Sequence, residues 1–349
     1  MIAVFRVDAS ASIGSGHIVR CITMAKLLNE RGWIVKIACK LSSYNIIKIL
    51  VPDASYKIII LTGDDISQIS KLKSLSKNDV DLLVVDSYDI DSRFETLCRP
   101  WAKCIMAIDD LANRKHNIDI LLDQTYGRKE KDYSGLLSNN CHTILGSNYA
   151  LLRPEFHQIR DRVLSRRSSN TRSMVKNILI SIGSSDPYNI TLKVLRSIKL
   201  LKINVNIVVV LGSCAPYLNT IREYAQCNTQ IKLLVDVNNM ANLMSDADMA
   251  IGAGGVSSLE RCCLGLPSLT IVTAKNQVSL AKNLLENKCH TVVSFSNKLD
   301  SYKITLGIEE LYKNYRLRIS MSKNSPKVCD GKGGARVVKA VDDMCKKSV

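Results

Sequence analysis

Short apolar runs alternate with helix-like segments along most of this chain, and this alternation constrains the fold more than any other feature. Five runs in the first half have the length and composition of buried strands, namely Ile2–Val7, Trp33–Ala38, Lys57–Leu61, Leu82–Asp86 and Cys104–Ile108. Residues 17–31, between the first two runs, place their apolar side chains on one helical face and are followed by Gly32, a common helix-ending residue. Strands that alternate with helices predict a parallel sheet covered on both faces.

The alternation is interrupted once and then begins again. Residues 153–176 are polar and basic, and within them we predict a linker over 166–175. Six further strand-like runs follow, namely Asn177–Ile182, Val205–Leu211, Ile231–Val235, Met249–Ile251, Ser268–Val272 and Thr291–Phe295. The sequence therefore predicts an α/β protein with two tandem doubly wound, Rossmann-like domains that face a cleft. We place them at 1–165 and 176–330, with a C-terminal tail or helix at 331–349. Ligands of such sheets bind beyond the carboxyl ends of the strands, so the loops there are the ones to search.

The bulk composition limits where the protein works and what it binds. No apolar run of the 349-residue chain approaches the roughly 18 residues that a membrane-spanning helix needs. The N-terminus lacks a secretory pattern, and the twelve cysteines include no C-x-x-C pair, so we expect reduced thiols in a cytoplasmic protein without a transmembrane segment. The oligomeric state is not fixed by the sequence, and a monomer is compatible with it.

The net charge of +16 suggests an anionic partner. Nucleic acid is one candidate, but the lysines are spread along the chain and aromatic residues make up only 5%, too few for a base-stacking platform. We therefore predict no nucleic-acid partner. A non-catalytic basic binding protein remains an alternative, as does attraction to small anionic molecules or to the inner membrane surface.

The loop after the first strand contains the stretch "ASIGSGHIVR", residues 11–20, with Gly14 and Gly16 just before His17. A dinucleotide-binding fingerprint would need a third glycine where Val19 stands and an acidic residue after the next strand, and a P-loop would need a G-K-S/T sequence. The loop instead brings His17 to the first turn of a helix, where the positive helix end favours neutral imidazole. Neutral imidazole is a usable general base, and the alternative is a capping or packing histidine.

A second glycine-rich loop, "IGAGGVSSLE", spans residues 251–260. A strand ends in Gly254 and Gly255, and a helix begins near Val256, an arrangement that binds phosphate through main-chain N–H groups. Glu260 is one turn into that helix, where a carboxylate can hold ribose hydroxyls. The alternative is a tight turn followed by an exposed helix glutamate.

Three more loops follow predicted strands. "VVDSYDID" delivers Asp86 and Tyr88 to a strand end, "SIGSSDPYN" contains Gly183 and Ser184 before a proline-started helix, and "AKNQ" contains Asn276.

Asp109 and Asp110 form an adjacent acidic pair that could hold a divalent cation. Successive side chains point apart, however, and no histidine or glutamate stands at ligand spacing. We therefore predict solvated or helix-capping aspartates and no metal.

Taken together, these stretches resemble the UDP-2,4-diacetamido-2,4,6-trideoxy-β-L-altropyranose hydrolases of pseudaminic acid biosynthesis. The resemblance spans about residues 4–285 and is carried by "RVDASASIGSGHIVRC", "VVDSYDID", "IDDLANR", "LLDQ", "LGSNYALLRPEF", "SSDPYN" and "GAGGVSSLERCCLGLPSL". It implies a two-domain fold of the GT-B glycosyltransferase type, a UDP-sugar substrate, no metal or other cofactor, and His17 as the catalytic residue. The UDP-binding residues it implies are Gly183, Ser184, Gly254, Gly255, Val256 and Glu260. The predicted substrate-binding residues are Asp8, Gly14, Gly16, Arg20, Tyr88 and Asn276.

The reaction implied by this resemblance is attack of water on the anomeric carbon, with inversion and release of UDP. His17 would deprotonate the water. UDP is a good leaving group, which removes the need for the carboxylate pair of ordinary glycosidases. A glycosyltransferase built on the same scaffold is the main alternative, because fold does not fix function. The sequence leaves the exact diacetamido sugar open.

Overall fold

The computed structural model describes residues 1–8, 16–50, 56–76, 79–169, 174–293 and 300–347. It divides into two compact units. The first comprises Met1–Leu152 together with Lys332–Val349, and the second comprises Arg153–Gly331. Within the described ranges, no helix is long and apolar enough to cross a membrane.

The first unit is built on a seven-stranded parallel sheet. Its strands are β1 (Ile2–Val7), β2 (Ile34–Lys40), β3 (Lys57–Leu61), β4 (Leu82–Asp86), β5 (Ile105–Ile108), β6 (Ile120–Asp123) and β7 (His142–Leu145). Its helices are α1 (Gly16–Asn29), α2 (Leu41–Leu50), α3 (Asp65–Lys73), α4 (Ser92–Cys98) and the last helix of the chain, α13 (Gly333–Lys347), with 3-10 turns at Glu130–Tyr133 and Ser147–Tyr149. The strand order is β3-β2-β1-β4-β5-β6-β7, so the direction of winding reverses between β1 and β4.

The second unit is built on a six-stranded parallel sheet. Its strands are β8 (Asn177–Ser181), β9 (Asn206–Leu211), β10 (Ile231–Val235), β11 (Met249–Ala253), β12 (Ser268–Ile271) and β13 (Thr291–Val293). Its helices are α5 (Pro154–Ser169), α6 (Ile190–Leu200), α7 (Leu218–Gln226), α8 (Met240–Asp246), α9 (Ser257–Cys263), α10 (Val278–Glu286), α11 (Ser301–Lys313) and α12 (Tyr315–Asn324), with 3-10 turns at Lys275–Gln277 and Ser325–Lys327. The order β10-β9-β8-β11-β12-β13 reverses direction between β8 and β11. The predicted class of two Rossmann-like, parallel-sheet domains is thus confirmed.

The unit boundaries differ from those expected from the sequence. Residues 154–169, of which we assigned 154–165 to the first domain and 166–169 to the linker, form helix α5 in the second unit. This helix buries little apolar surface and attaches through arginines instead: Arg167 donates from Nε to the Leu264 carbonyl at 3.0 Å and from a terminal nitrogen to the Met244 carbonyl at 2.8 Å. Its polar composition therefore concealed a packed helix. Of the predicted linker, residues 170–173 lie outside the described residues.

The C-terminal segment 331–349, whose packing the sequence left open, contains a helix of the first unit. Three valines of α13, Val337, Val338 and Val341, are fully buried in the same core as α1. Asp342 anchors the helix, because its carboxylate accepts hydrogen bonds from Arg31 at 2.6 Å and from the Trp33 indole at 3.1 Å. The first unit is therefore completed by the end of the chain.

Sequence reasoning also missed β6 and β7. Each has four residues, and β7 is partly exposed, which weakens its apolar pattern. Most other strand ends lie within two residues of the expected ones; the predicted end of the last strand, Phe295, lies outside the described residues.

Candidate functional site

The reversal point of the first sheet brings His17 and Asp86 together. β1 and β4 are hydrogen-bonded neighbours, with Val7 opposite Asp86 in the register, while their following helices leave in different directions. Crevices at such points are where doubly wound sheets bind ligands. Asp86 is the last residue of β4, and His17 is the second residue of α1.

The imidazole of His17 is held by a buried carboxylate. His17 Nδ1 is 2.5 Å from Asp86 Oδ1, and the two side chains are 8% and 0% exposed. Arg20, one turn further along α1, donates to both oxygens of the same carboxylate, from Nε at 2.7 Å and from a terminal nitrogen at 2.6 Å. Asp86 therefore bridges a histidine and an arginine in the protein interior.

Asp86 is ionised in this environment. Burial alone would raise the pKa of its carboxyl, but the charge of Arg20 and the contact with His17 outweigh burial and hold the pKa well below its usual range. A carboxylate can only accept hydrogen bonds, so neutral His17 carries its proton on Nδ1. The lone pair is consequently on Nε2, the nitrogen that can take a proton from a ligand or from water.

Tyr88 and Asp110 complete this cluster. The Tyr88 ring meets the His17 ring edge-on, with centroids 4.7 Å apart and planes at 90°. Its hydroxyl donates to Asp110 Oδ1 at 2.8 Å, and Arg20 contacts Asp110 Oδ2 at 3.3 Å. Burial and the charge of Asp110 raise the pKa of Tyr88, so its hydroxyl stays protonated and acts as a donor.

The other predicted substrate residues of the first unit are placed differently. Asp8 follows β1, and its carboxylate accepts hydrogen bonds from Arg6 at 2.7 Å and from the Lys40 main-chain N–H at 2.8 Å. Gly16 is the exposed first residue of α1, and Gly14 lies outside the described residues. Arg20 is only 2% exposed and is committed to two aspartates. Substrate contacts by these residues stay predictions.

Asp109 is neither solvated nor a helix cap, which corrects the expectation for this pair. Its carboxylate is buried and accepts from Arg114 at 2.6 Å, from the Ala112 N–H at 2.9 Å and from the Tyr133 hydroxyl at 2.9 Å. The neighbouring residue, Asp110, accepts from Arg20 and Tyr88, as described above. Among the described residues, no group of three histidine, cysteine, aspartate or glutamate side chains is arranged to hold a metal ion.

The second glycine loop lies at the reversal point of the second sheet, after β11. The main-chain N–H of Gly254 is taken by Gln277 Oε1 at 3.2 Å. The next three N–H groups, those of Gly255, Val256 and Ser257, donate no hydrogen bond to any part of the chain that the structure describes. Around Gly255 the nearest atom that a Cβ would meet is Gln277 Nε2 at 4.0 Å, so the space beside this loop is open. Adjacent free N–H groups form an anion-binding arrangement.

Arg261, which the sequence analysis did not single out, fixes the shape of this loop. Its fully buried guanidinium donates to the Ala253 carbonyl at 2.9 Å, to Ser258 Oγ at 3.0 Å and to Thr270 Oγ1 at 3.2 Å. Burial lowers the pKa of Arg261 to about 10. A Cβ at position 252 would overlap this guanidinium, so Gly252 is required for the arginine to fit.

Glu260 is buried, which corrects the alternative of an exposed helix glutamate. Its side chain is 10% exposed, and Oε1 is 3.3 Å from a terminal nitrogen of Arg153. Among the other predicted residues of this unit, Gly183 has a φ of +96°, a conformation that favours glycine. Ser184 accepts the Gly212 N–H on its carbonyl at 2.8 Å, and Asn276 is half-buried in the 3-10 turn before α10.

Comparisons with known proteins agree with this picture. Residues 177–340 match the glycosyltransferase family 28 C-terminal domain. The chain is 23% identical over 350 residues to the spore coat polysaccharide biosynthesis protein SpsG of Bacillus subtilis, covering 98% of each chain. It is 28% identical over 282 residues to the UDP-2,4-diacetamido-2,4,6-trideoxy-β-L-altropyranose hydrolase of Campylobacter jejuni, covering 80% of this chain and 95% of the relative.

Among solved structures, MurG of Acinetobacter baumannii superimposes with a TM-score of 0.67 at 15% identity, covering 98% of this chain and 99% of that one. These findings confirm the resemblance described from the motifs and the GT-B type of fold.

Proposed function

Since this chain is a relative of the UDP-2,4-diacetamido-2,4,6-trideoxy-β-L-altropyranose hydrolases and carries a glycosyltransferase family 28 C-terminal domain, we propose that it is a hydrolase of a UDP-linked diacetamido sugar. Water attacks the anomeric carbon, the bond from that carbon to the UDP oxygen breaks, and the free sugar is released with inverted configuration. UDP leaves as the second product. The reaction would serve the biosynthesis of pseudaminic acid or a related nonulosonic acid.

The first unit supplies the general base. Asp86 keeps the proton of His17 on Nδ1, so Nε2 takes the proton from the attacking water. The imidazolium that forms is stabilised by the ionised Asp86 carboxylate at 2.5 Å. The single observation that carries the proposal is this buried histidine–aspartate pair at the reversal point of the first sheet.

The second unit supplies the UDP site. The free N–H groups of Gly255, Val256 and Ser257 suit the diphosphate, on which negative charge develops as the sugar leaves. Glu260 accepts hydrogen bonds from the ribose hydroxyls in this proposal. Gly183, Ser184 and Asn276 are further proposed ligands of the substrate, as are Asp8, Gly14, Gly16, Arg20 and Tyr88.

A UDP-sugar glycosyltransferase is the second candidate, favoured by the family 28 domain. It would use the same base on an acceptor hydroxyl instead of water. The deciding experiment supplies UDP-2,4-diacetamido-2,4,6-trideoxy-β-L-altropyranose with no acceptor and follows UDP and free sugar. We expect stoichiometric release of both over many turnovers. Release that requires an added acceptor would identify a transferase, and no turnover of any UDP-sugar in a panel would contradict both.

A further inference from the structure

Arg153 has no part in the function proposed so far, yet it is built into the candidate UDP site. It directly precedes α5 and belongs to the same compact unit as the glycine loop. One terminal nitrogen contacts Glu260 at 3.3 Å, while Nε is 3.4 Å from Glu155 Oε1. The guanidinium carbon lies 5.3 Å from the centre of the Phe156 ring. Two carboxylates and one aromatic ring thus surround the guanidinium, and its buried Nε makes no hydrogen bond with the described residues.

The contact with Glu260 leaves half of that carboxylate open. Oε1 is engaged by Arg153, whereas Oε2 receives no hydrogen bond from the described residues. A carboxylate with one oxygen fixed and the other open is a directed acceptor for a hydroxyl group. An arginine suits the task of fixing it, because the planar guanidinium sets direction as well as charge.

The positive charge of Arg153 also reduces the repulsion between Glu260 and a bound diphosphate. Glu260 stands in the helix that follows the free N–H groups, so an unpaired Glu260 carboxylate would repel an anionic diphosphate at that loop. Both side chains are largely removed from water, with 25% and 10% of their surfaces exposed, and such repulsion is screened less there than in bulk solvent. Pairing with a fixed cation removes most of this penalty.

We propose that Arg153 is a positioning residue for UDP: it aims Glu260 at the ribose hydroxyls and offsets its charge beside the diphosphate. This inference rests on the proposed UDP site. It predicts that Arg153 acts through Glu260, so the two residues are energetically coupled in nucleotide binding.

The test is a double-mutant cycle on the full chain with UDP and 2′-deoxy-UDP as probes. Calorimetry measures both affinities for the wild type, Arg153→Ala, Glu260→Gln and the double variant, with Arg153→Lys as the conservative change. Arg162→Ala is the matched control, because it removes an exposed arginine from α5, the helix that Arg153 precedes. Thermal unfolding checks that each variant folds.

We expect Arg153→Ala to weaken UDP binding about tenfold and to reduce the preference for UDP over 2′-deoxy-UDP to less than twofold. Arg153→Lys should recover affinity in part, the double variant should bind no worse than Glu260→Gln, and the control should match the wild type. The inference alone would be overturned if the wild type binds UDP but the effects of the two single changes add in the double variant. It would also be overturned if Arg153→Ala keeps the wild-type preference for UDP over 2′-deoxy-UDP. A wild type that does not bind UDP would overturn the proposed UDP site and the inference with it.

Discussion

Nδ1 of His17 and Oδ1 of Asp86 are 2.5 Å apart at the carboxyl edge of the first sheet, although 69 residues separate them in the chain. The pairing of β1 with β4 creates this proximity, because it places Asp86, at the end of β4, beside the first turn of the helix that follows β1. Asp86 is fully buried, so its position is set by the fold and not by solvent. The tautomer of neutral His17 is therefore set by the fold.

Replacing Asp86 by asparagine tests this relationship. Asparagine keeps the size of the side chain but not its charge, so it stabilises less well the His17 tautomer that has its lone pair on Nε2. We therefore expect kcat to fall about 10²–10⁴-fold. Arg20 would also lose its main partner, and breaking a buried pair costs about 3–5 kcal/mol of unfolding free energy. Steady-state kinetics and urea unfolding measure the two effects.

The control for this change is Asp89→Asn. Asp89 lies on the same loop, but its carboxylate is 75% exposed and its contact with Lys40 is 3.8 Å long. We expect wild-type kcat and stability. An Asp86→Asn variant that folds and turns over like this control would show that His17 does not depend on Asp86.

The glycine loop of the second unit gives a separate prediction. Gly255→Val should fold normally, since the only described side-chain atom near the new Cβ is Gln277 Nε2 at 4.0 Å. The added side chain would occupy the space beside the free N–H groups, so we expect UDP affinity to fall at least tenfold. Calorimetry with UDP checks this. Undiminished affinity in a folded variant would remove this loop from the UDP site.

Chelation tests the expectation that no metal is needed. The carboxylates of Asp109 and Asp110 already accept hydrogen bonds from arginine and tyrosine side chains, so neither is poised as a metal ligand. We expect the rate of UDP release to be unchanged after EDTA treatment and gel filtration. Loss of activity that returns with Mg²⁺ or Mn²⁺ would make this acidic pair the first place to search for ligands.

His290 makes stability depend on pH. It is fully buried, with Nδ1 3.0 Å from Thr270 Oγ1 and Nε2 3.5 Å from Cys262 Sγ. Burial, assisted by the charge of Arg261, lowers the pKa of His290 well below its usual value. As the pH falls, His290 therefore binds a proton in the unfolded chain before it does so in the folded chain. Its contribution to the unfolding free energy is complete above about pH 6.5 and is lost as the pH falls below that value.

Between about pH 7.5 and 5.5 this single group should remove about 1.4 kcal/mol of unfolding free energy. Urea unfolding at both pH values measures the loss, and His290→Asn should show a smaller loss by about that amount. Equal losses in the two proteins would mean that His290 is accessible to protons in the folded state.

The sequence predicted the sheet class and singled out the two glycine loops because both depend on local patterns. Apolar runs of five or six residues are recognisable one at a time, and a glycine loop that follows such a run marks the carboxyl edge of a sheet. His17 and Glu260 were singled out as candidates in this way, since each is close in sequence to its loop.

The parts that escaped prediction depend on contacts between distant residues. Neither the charge pairing of Asp86 with Arg20 nor that of Glu260 with Arg153 can be inferred from spacing, because 66 and 107 residues separate the partners. Helix α5 was mistaken in part for a linker because main-chain carbonyls of other segments, and not apolar contacts, hold its arginines. A polar helix can thus pack against the rest of a domain when its side-chain hydrogen-bond donors are paired with main-chain carbonyls.

The central claim is that His17 is the general base, and single-site replacement measures it most directly. His17→Asn keeps a hydrogen-bonding side chain that cannot take a proton at neutral pH, and His17→Ala removes the group. With saturating UDP-2,4-diacetamido-2,4,6-trideoxy-β-L-altropyranose, we predict that kcat falls about 10²–10⁴-fold in both variants, while the UDP dissociation constant stays within about twofold of wild type. A His17→Asn enzyme that retains most of the wild-type kcat would contradict the account and reduce His17 to a structural residue.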